Sequence, residues 1–324
     1  MAGVALGAAA GALWALTFIA PELVEPWGPL ELTAARYLVF GLCSAAGLAL
    51  LRFNPLRRLG PADWGRVCLL GLLANVLYYL AAGQAIQMTG PTPVALVVGT
   101  LPVGVAVAAN LRRRAVAWRR LLPPLAVISA GLAVVTLGTP DAQAADAGAA
   151  AAGVGVALAV VGLVSWLAYA VLNAGWLTGR DDMTPLVWTC LTGVGTLVVL
   201  VPVVTVALAV RPGLASAPEG ASAAGLVAWG LTLGLAASYV ATWLWNGAGT
   251  RLPAALLGYV IVSETLFAMA YDCVVAARPP SPAEGVAAVL ILGGVAWGLA
   301  AAGARARGPA PARAADPAPG RLRA

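Results

Sequence analysis

Glu264 is the only acidic residue in the apolar stretch VIVSETLFAMAY, residues 260–271. If this stretch belongs to a transmembrane helix that begins at Pro253, Glu264 lies about 16 Å along it, near the middle of a hydrocarbon core about 30 Å thick. A carboxylate at that depth costs a few kcal/mol, and such residues usually line a solute path or pair with another group. Two interpretations remain open. Glu264 is either a carboxyl group that takes up and releases a proton or a structural group that hydrogen-bonds a neighbouring helix.

Arg36 poses the same question in a second apolar stretch, which begins near residue 30. At helical rise it lies roughly 10 Å deep, where an arginine must extend to the surface or be paired. Its planar guanidinium could bind a substrate carboxylate through two parallel hydrogen bonds. Alternatively, it is a structural partner of Glu31, Asp272 or a helix end.

Aromatic and small polar side chains interrupt several of the apolar stretches. A tyrosine or tryptophan can stack on an aromatic or aliphatic solute while donating one hydrogen bond. The alternative is plain helix packing, or an aromatic belt at the membrane surface for Trp27, Trp64, Trp118 and Trp188. The candidates for a central pocket are Trp14, Thr17, Tyr78, Tyr79, Gln84, Trp166, Tyr169, Tyr239 and Tyr259.

Composition identifies the elements that must position these side chains. Of the 324 residues, 61% are hydrophobic and only 10% are charged, whereas a soluble domain carries about 25% charged residues. Each apolar stretch is long enough to cross a bilayer as a helix. The sequence therefore predicts an all-α integral membrane protein with ten transmembrane helices, near residues 3–21, 30–51, 66–88, 93–111, 120–138, 150–176, 186–210, 224–247, 253–276 and 284–303.

Arginine placement predicts the orientation. All 19 basic residues are arginines, and they cluster between spans two and three, between spans four and five, and in the C-terminal tail. The positive-inside rule then places both termini in the cytoplasm. The first stretch lacks a basic leader and a small-residue cleavage site, so we interpret it as a retained span and not as a signal peptide.

Several kinds of chemistry have no support in the sequence. There is no histidine, and Cys43, Cys68, Cys190 and Cys273 have no metal-like spacing. No GxxxxGK[ST] motif occurs, so any pumping must draw on an ion or solute gradient. We therefore expect no enzyme activity, no cofactor, no metal and no nucleic-acid partner. The expected partners are membrane lipid and a small-molecule substrate. The oligomeric state is open, and a monomer is compatible with the sequence.

The two halves of the chain resemble each other. A shift of about 160 residues places Tyr79 on Tyr239 and Pro93 on Pro253. Repeats with an odd number of spans insert in opposite directions, which produces a two-fold axis in the membrane plane and a central site between them. The predicted units are a five-helix repeat over 1–140, an inverted second repeat over 141–303, and a disordered Arg- and Pro-rich cytoplasmic tail over 304–324.

These motifs resemble the drug/metabolite transporter superfamily in its EamA type. The resemblance covers residues 1–303 and rests on ALWALTF (12–18), LTAARYLVF (32–40) with Arg36, VALVVGTLPV (94–103) and ETLFAMAYDCVV (264–275). The helix pairs at 77–103 and 238–253 are similar to YddG-type exporters of aromatic amino acids. The chain departs from the family where Thr265 replaces the proline of a frequent Glu-Pro pair. It also has Arg112–Arg114 and Arg278 where the family has acidic residues, so no role transfers from those positions.

The resemblance implies a secondary-active transporter of the bacterial inner membrane. We expect it to export amino acids, with aromatic ones among the candidates, or related small metabolites by alternating access. One alternative is efflux of lipophilic cations or drugs, with Glu264 as the counter-charge. Another is an uncoupled facilitator of the same fold. In each case Glu264 and Arg36 are the charges assigned to coupling or to structure.

Overall fold

The computed structural model describes residues 1–89, 94, 97–113, 117–138, 149–177, 183–211, 213, 216–275 and 277–306. Within these ranges all regular structure is helical. The predicted tail falls largely outside them, although the last helix continues through Ala306, beyond the expected end at residue 303. The all-α prediction is thus confirmed for the described part of the chain.

In the described part of the chain ten main helical segments follow one another. Several begin at a proline, which suits the first helical position because its missing N–H needs no partner there. In the first half they are α1 (Ala2–Leu23), α2 (Pro29–Leu50), α3 (Pro61–Gly71, Leu72–Leu77 and Tyr78–Thr89), α4 (Leu101–Arg113) and α5 (Trp118–Gly138). In the second half they are α6 (Ala149–Leu177), α7 (Pro185–Val210), α8 (Ala223–Thr232, Leu233–Val240 and Ala241–Gly249), α9 (Ala254–Val260 and Ser263–Val275) and α10 (Pro282–Ala306). A single helical turn, Pro55–Arg58, lies between α2 and α3.

Eight of these helices are long and apolar enough to cross a membrane over their described residues: α1, α2, α3 and α6 to α10. The predicted fourth and fifth spans, 93–111 and 120–138, are helical over Leu101–Arg113 and Trp118–Gly138 but are not among the eight. The structure thus supports a multi-pass membrane protein, and the count of ten spans stays a prediction. The short join near 247–253 does separate two helices, because α8 ends at Gly249 and α9 begins at Ala254.

The packing of the helices has the same pattern in both halves. α1 contacts α8 and α9, and correspondingly α6 contacts α3 and α4. α2 packs against α8, and correspondingly α7 packs against α3. Three further contacts join helices that occupy the same place in the two halves: α2 with α7, α4 with α9 and α5 with α10. Exchanging the first five helices for the last five therefore preserves the main contacts. This supports the predicted repeats, while their inverted orientation stays a prediction.

Helix irregularities also recur at matching positions. α3 contains a π-helical segment at Leu72–Leu77, and α8 contains one at Leu233–Val240. Carbonyl groups in both segments accept side-chain hydrogen bonds: Leu73 O from Ser165 Oγ at 2.7 Å, and Ala237 O from Arg36 Nη2 at 3.3 Å. Side chains that bond into the helix ladder are an ordinary cause of such irregularity, and π segments often occur at functional sites.

Two glycines allow the helices with π segments to approach their neighbours closely. A Cβ on Gly71 would lie 2.5 Å from Thr196 N on α7, and one on Gly234 would lie 2.7 Å from Arg36 O on α2. Each glycine comes just before or at the start of its π segment. Small residues at such crossings let backbones pack tightly in membrane proteins.

Candidate functional site

A cavity of about 330 Å³ lies among α1, α2, α3, α6, α8 and α9, and Leu101 of α4 and Leu132 of α5 also line it. Apolar and aromatic side chains form most of its wall. Among the described residues that line it, Arg36 and Glu264 are the charged ones. A mainly apolar pocket with a few convergent polar groups is the usual form of a small-molecule site.

The predicted site residues divide into two groups. The residues that line the cavity are Trp14, Thr17, Arg36, Tyr78, Tyr79, Trp166, Tyr169 and Glu264. Three others lie elsewhere. Gln84 is exposed on α3, the Tyr239 hydroxyl lies 3.3 Å from Cys190 Sγ, and the Tyr259 hydroxyl donates to Leu121 O at 3.0 Å.

Tyr239 illustrates why the repeat alone did not place every side chain. Its counterpart Tyr79 follows the π segment of α3 and faces the cavity, whereas Tyr239 lies within the π segment of α8. A π segment has more residues per turn than an α-helix, so side chains after its start rotate away from the α-helical register. Equivalent sequence positions can therefore face different neighbours.

Arg36 is buried, with 4% of its surface exposed, and only part of its guanidinium is hydrogen-bonded. Nε donates to Ser238 Oγ at 2.8 Å, and Nη2 donates to Ala237 O at 3.3 Å. Its central carbon lies 4.9 Å from the ring centre of Tyr37 and 4.6 Å from that of Tyr79. Nη1 has no hydrogen-bond partner. The Tyr37 and Tyr79 rings and α8 thus hold the Arg36 guanidinium in place, and its Nη1 makes no hydrogen bond.

The predicted partners of Arg36 are wrong in two cases. Asp272 pairs with Arg278 at the turn between α9 and α10, and no ion pair joins Arg36 to Glu31 among the described residues. The arginine instead packs its cation against tyrosine rings, a contact worth about 0.5–2 kcal/mol, and bonds to α8. Such partners are uncharged, so they hold the guanidinium without neutralising it.

Glu264 lies in the first turn of a helix and not in the middle of one. α9 is interrupted by a turn at Ile261–Val262 and resumes at Ser263. α4 has the matching feature, a turn at Gly99–Thr100 before Leu101. A carboxylate near a helix N-terminus is favoured by the helix dipole. Within the described part of the chain no hydrogen bond or ion pair engages the Glu264 carboxylate, which lines the cavity together with Thr265.

Tryptophans from three helices form a layer at one end of the cavity. The ring centroid of Trp14 lies 6.2 Å from that of Trp166 and 5.4 Å from that of Trp245, and the Trp166–Trp245 centroids are 6.1 Å apart. Tyr169 packs on Trp166 with centroids 5.5 Å apart. Trp14, Trp166 and Tyr169 line the cavity, so this layer gives it an aromatic wall.

Beyond this layer a buried polar network joins α6, α7 and α8. Asn173 Nδ2 donates to Asn246 Oδ1, and Asn246 Nδ2 donates to Thr189 Oγ1, each at 2.9 Å. Trp188 Nε1 donates to Asn173 Oδ1 at 2.7 Å. The assignment of Trp188 to a membrane-surface belt is therefore wrong, because its indole is 3% exposed and bonded inside the bundle.

Two further lining residues, Tyr37 and Asn75, belong to the few polar residues within the predicted spans, whereas sequence reasoning did not select Phe18, Thr242, Thr265 and Met269. Thr265 and Ala268 follow Glu264 on adjacent positions of one helical face, and Tyr37 directly follows Arg36, so closeness in sequence was a usable signal. No sequence signal indicated Thr242, because its position at the cavity depends on how α8 packs against the other helices.

A group of potential metal ligands lies outside the cavity. Asp272, Cys273 and Glu284 converge at the turn between α9 and α10. The Arg278 guanidinium binds there to Asp272 and, at 2.8 Å, to Glu284. Because a cation of the chain already bridges these carboxylates, the group works as an ion-pair clasp between two helices.

Known proteins resemble this chain over most of its length. The model of the EamA-like transporter family matches residues 1–137. The inner membrane protein YtfF of Escherichia coli (strain K12) is 32% identical over 301 residues, which cover 90% of this chain and 94% of that protein. The chain belongs to the EamA-like transporter family. As a member of this family within the drug/metabolite transporter superfamily, it is a membrane transporter.

A solved structure confirms the fold. One crystal structure superposes with a TM-score of 0.74 at 20% identity, covering 94% of this chain and 99% of that one. At this identity the likeness shows the fold alone. The fold likeness therefore extends well beyond the first 137 residues, through the second set of helices.

Proposed function

We propose that this EamA-like protein is a secondary-active transporter that exports amino acids, aromatic ones among them, or related small metabolites across the bacterial inner membrane by alternating access. The observation that carries the proposal is the shared cavity, which combines one buried arginine, one glutamate and an aromatic wall. Amino acids present matching chemistry, with two opposite charges and a side chain that can pack on rings.

The form of the cavity supports transport more than storage or catalysis. The discontinuous helix α9 reaches the cavity at its break through Ile261, and α4 and the turn before it reach the cavity through Leu101 and Gly99. Transporters built from repeats bind substrate near the bilayer midplane beside discontinuous helices. The name of YtfF as an inner membrane protein supports the same membrane for this chain.

We further propose that the cavity faces the periplasm. It extends along α1 from Trp14 to Phe18 and along α3 from Ala74 to Ile86, toward the C-terminal ends of both helices. With the N-terminus in the cytoplasm, as the arginine distribution favours, these ends lie outside. Alternating access then requires the tryptophan layer of Trp14, Trp166 and Trp245 to separate.

Flux through reconstituted liposomes tests this function. Purified protein is reconstituted into liposomes, and counterflow of radiolabelled phenylalanine, leucine and glutamate is measured. The same assay is run with a lipophilic cation such as tetraphenylphosphonium as an alternative substrate. We expect saturable flux of at least one neutral amino acid. Flux of the cation alone would support the efflux alternative, and no flux of any tested solute would contradict the proposal. Uphill accumulation that appears only with a pH gradient would distinguish a coupled transporter from a facilitator.

A further inference from the structure

The two charges of the cavity are held apart. Arg36 and Glu264 both line it, yet they form no ion pair within the described part of the chain. A buried charge without a partner is costly. Arg36 and Glu264 are therefore two opposite charges on one cavity, and a ligand that carries both a negative and a positive group could pair with each of them.

The guanidinium of Arg36 keeps hydrogen-bond donors that the protein does not use. A guanidinium has five N–H groups, and Arg36 uses one on Nε and one on Nη2 for α8. Nη1 is buried and its N–H groups have no partner, so Nη1 and the second N–H of Nη2 are the donors of the guanidinium fork that the protein leaves unused. Such a fork matches a carboxylate through two parallel hydrogen bonds. The Tyr37 and Tyr79 rings keep it fixed.

Charge balance then selects among ligand classes. A zwitterion places its carboxylate on Arg36 and its ammonium on Glu264, so every charge is paired and the cavity stays neutral. A lipophilic cation pairs with Glu264 but leaves Arg36 unpaired beside it. A monoanion pairs with Arg36 but faces the Glu264 carboxylate. Like charges close together in a low-dielectric site repel each other strongly.

We propose that Arg36 and Glu264 are the two poles of a binding site for α-amino acids, with Arg36 binding the α-carboxylate and Glu264 the α-ammonium group. The inference rests on the proposed transport function and names the substrate class of the same cavity. Trp14, Trp166 and Tyr169 then contact the substrate side chain. Because Arg36 and Glu264 each bind one charged group, tight binding requires both the α-carboxylate and the α-ammonium group.

A matched ligand series tests the proposal by equilibrium binding, without any need for transport. Isothermal titration of the detergent-purified full chain uses L-phenylalanine, its methyl ester, 3-phenylpropionate and phenethylamine. The ester and the amine lack the carboxylate, and 3-phenylpropionate lacks the ammonium. For the wild type we expect L-phenylalanine to bind at least about tenfold more tightly than each analogue, since a charge-assisted hydrogen bond contributes about 1.5–3 kcal/mol.

Two substitutions should remove two different preferences. In Arg36→Gln the preference for L-phenylalanine over its methyl ester should fall to about twofold or less. In Glu264→Gln the preference over 3-phenylpropionate should fall in the same way. Arg211→Gln, which changes an exposed arginine at the end of α7, should keep the wild-type ratios. If Arg36→Gln does not fold, Arg36→Lys, which keeps the charge but loses the fork, takes its place.

Equal binding of all four ligands to the wild type would overturn the proposal, as would unchanged ratios in both variants. If no ligand of the series binds while the liposomes transport another solute, the charge-pair proposal fails and the transporter proposal stands. If the binding ratios follow expectation but no liposome flux occurs, the charge-pair assignment stands and the transport proposal fails.

Discussion

Arg36 Nε donates a hydrogen bond of 2.8 Å to Ser238 Oγ, joining α2 to the π segment of α8. At the corresponding place in the other half, Asn75 Nδ2 donates to Thr196 Oγ1, also at 2.8 Å. Arg36 and Thr196 are 160 positions apart, and Asn75 and Ser238 are 163 apart. The same helix crossing thus carries a polar bond in both halves, and only one of them has a charge. The two helix pairs therefore have matching polar contacts, and only the α2–α8 pair uses a charged donor.

Ser238→Ala should weaken substrate binding although Ser238 does not line the cavity. Its loss removes the acceptor of Arg36 Nε, so the guanidinium loses one of the contacts that fix it. We expect a loss of about 1–3 kcal/mol in the free energy of unfolding and weaker binding of L-phenylalanine. Thermal unfolding and titration measure both.

The matched control is Ser222→Ala on the same helix. Ser222 Oγ caps α8 by accepting a 3.0 Å hydrogen bond from Gly225 N, and its loss should cost about 1 kcal/mol. Because Ser222 is far from the cavity in the helix, substrate affinity should not change. Equal effects of the two variants on binding would argue against a positioning role for Ser238.

Glu264→Gln should abolish any dependence of transport on pH. Glutamine keeps the size of the side chain but can neither release nor take up a proton in this range. If Glu264 carries the coupled proton, the initial transport rate of Glu264→Gln in liposomes should not change with pH. Glu219→Gln, a change in an exposed loop, should leave the pH profile as it is. A Glu264→Gln protein with the wild-type profile would assign the carboxyl to substrate binding or structure alone.

Gly71→Ala should destabilise the bundle through a backbone contact. The new Cβ would meet Thr196 N at 2.5 Å, and backbone cannot yield as a flexible side chain can. Overpacking of this kind costs about 1–3 kcal/mol. Gly65→Ala on the same helix meets nothing within 4 Å and should be neutral or stabilising by up to about 1 kcal/mol. Thermal unfolding in detergent distinguishes them, and similar midpoints would contradict the predicted crossing.

Asn173→Leu should lower stability without a direct effect on the cavity. It leaves the Trp188 indole N–H and the Asn246 carbonyl oxygen without their buried partners, at a cost of about 1–3 kcal/mol for each group. Thr205→Val is the control, since the Thr205 hydroxyl bonds only to Val201 O of its own helix. A midpoint of unfolding in Asn173→Leu as high as in the control would show that the network contributes little.

Sequence alone determined the membrane character of the chain and its helical fold class, and it predicted two helical repeats. An apolar stretch of about 20 residues has few alternatives, because backbone groups in lipid must bond within a helix. The near-160-residue offset, visible at Tyr79 and Tyr239, also predicted that matching elements would recur. Glu264 and Arg36 were recognisable because charges are rare in such stretches.

Only the tertiary structure decided which of these side chains meet. The break in α9 puts Glu264 in a first helical turn, which periodicity could not show because the sequence around it is continuously apolar. The π segments change the direction in which residues such as Tyr239 point, so the 160-residue offset between the halves did not predict their neighbours. The partner of Arg36 proved to be Ser238, 202 positions away, because helix packing and not proximity in sequence brings α2 and α8 together. A composition rich in Ala, Leu and Val predicts that helices form in the membrane. It does not predict their contact faces, because these depend on glycines and on side-chain shape.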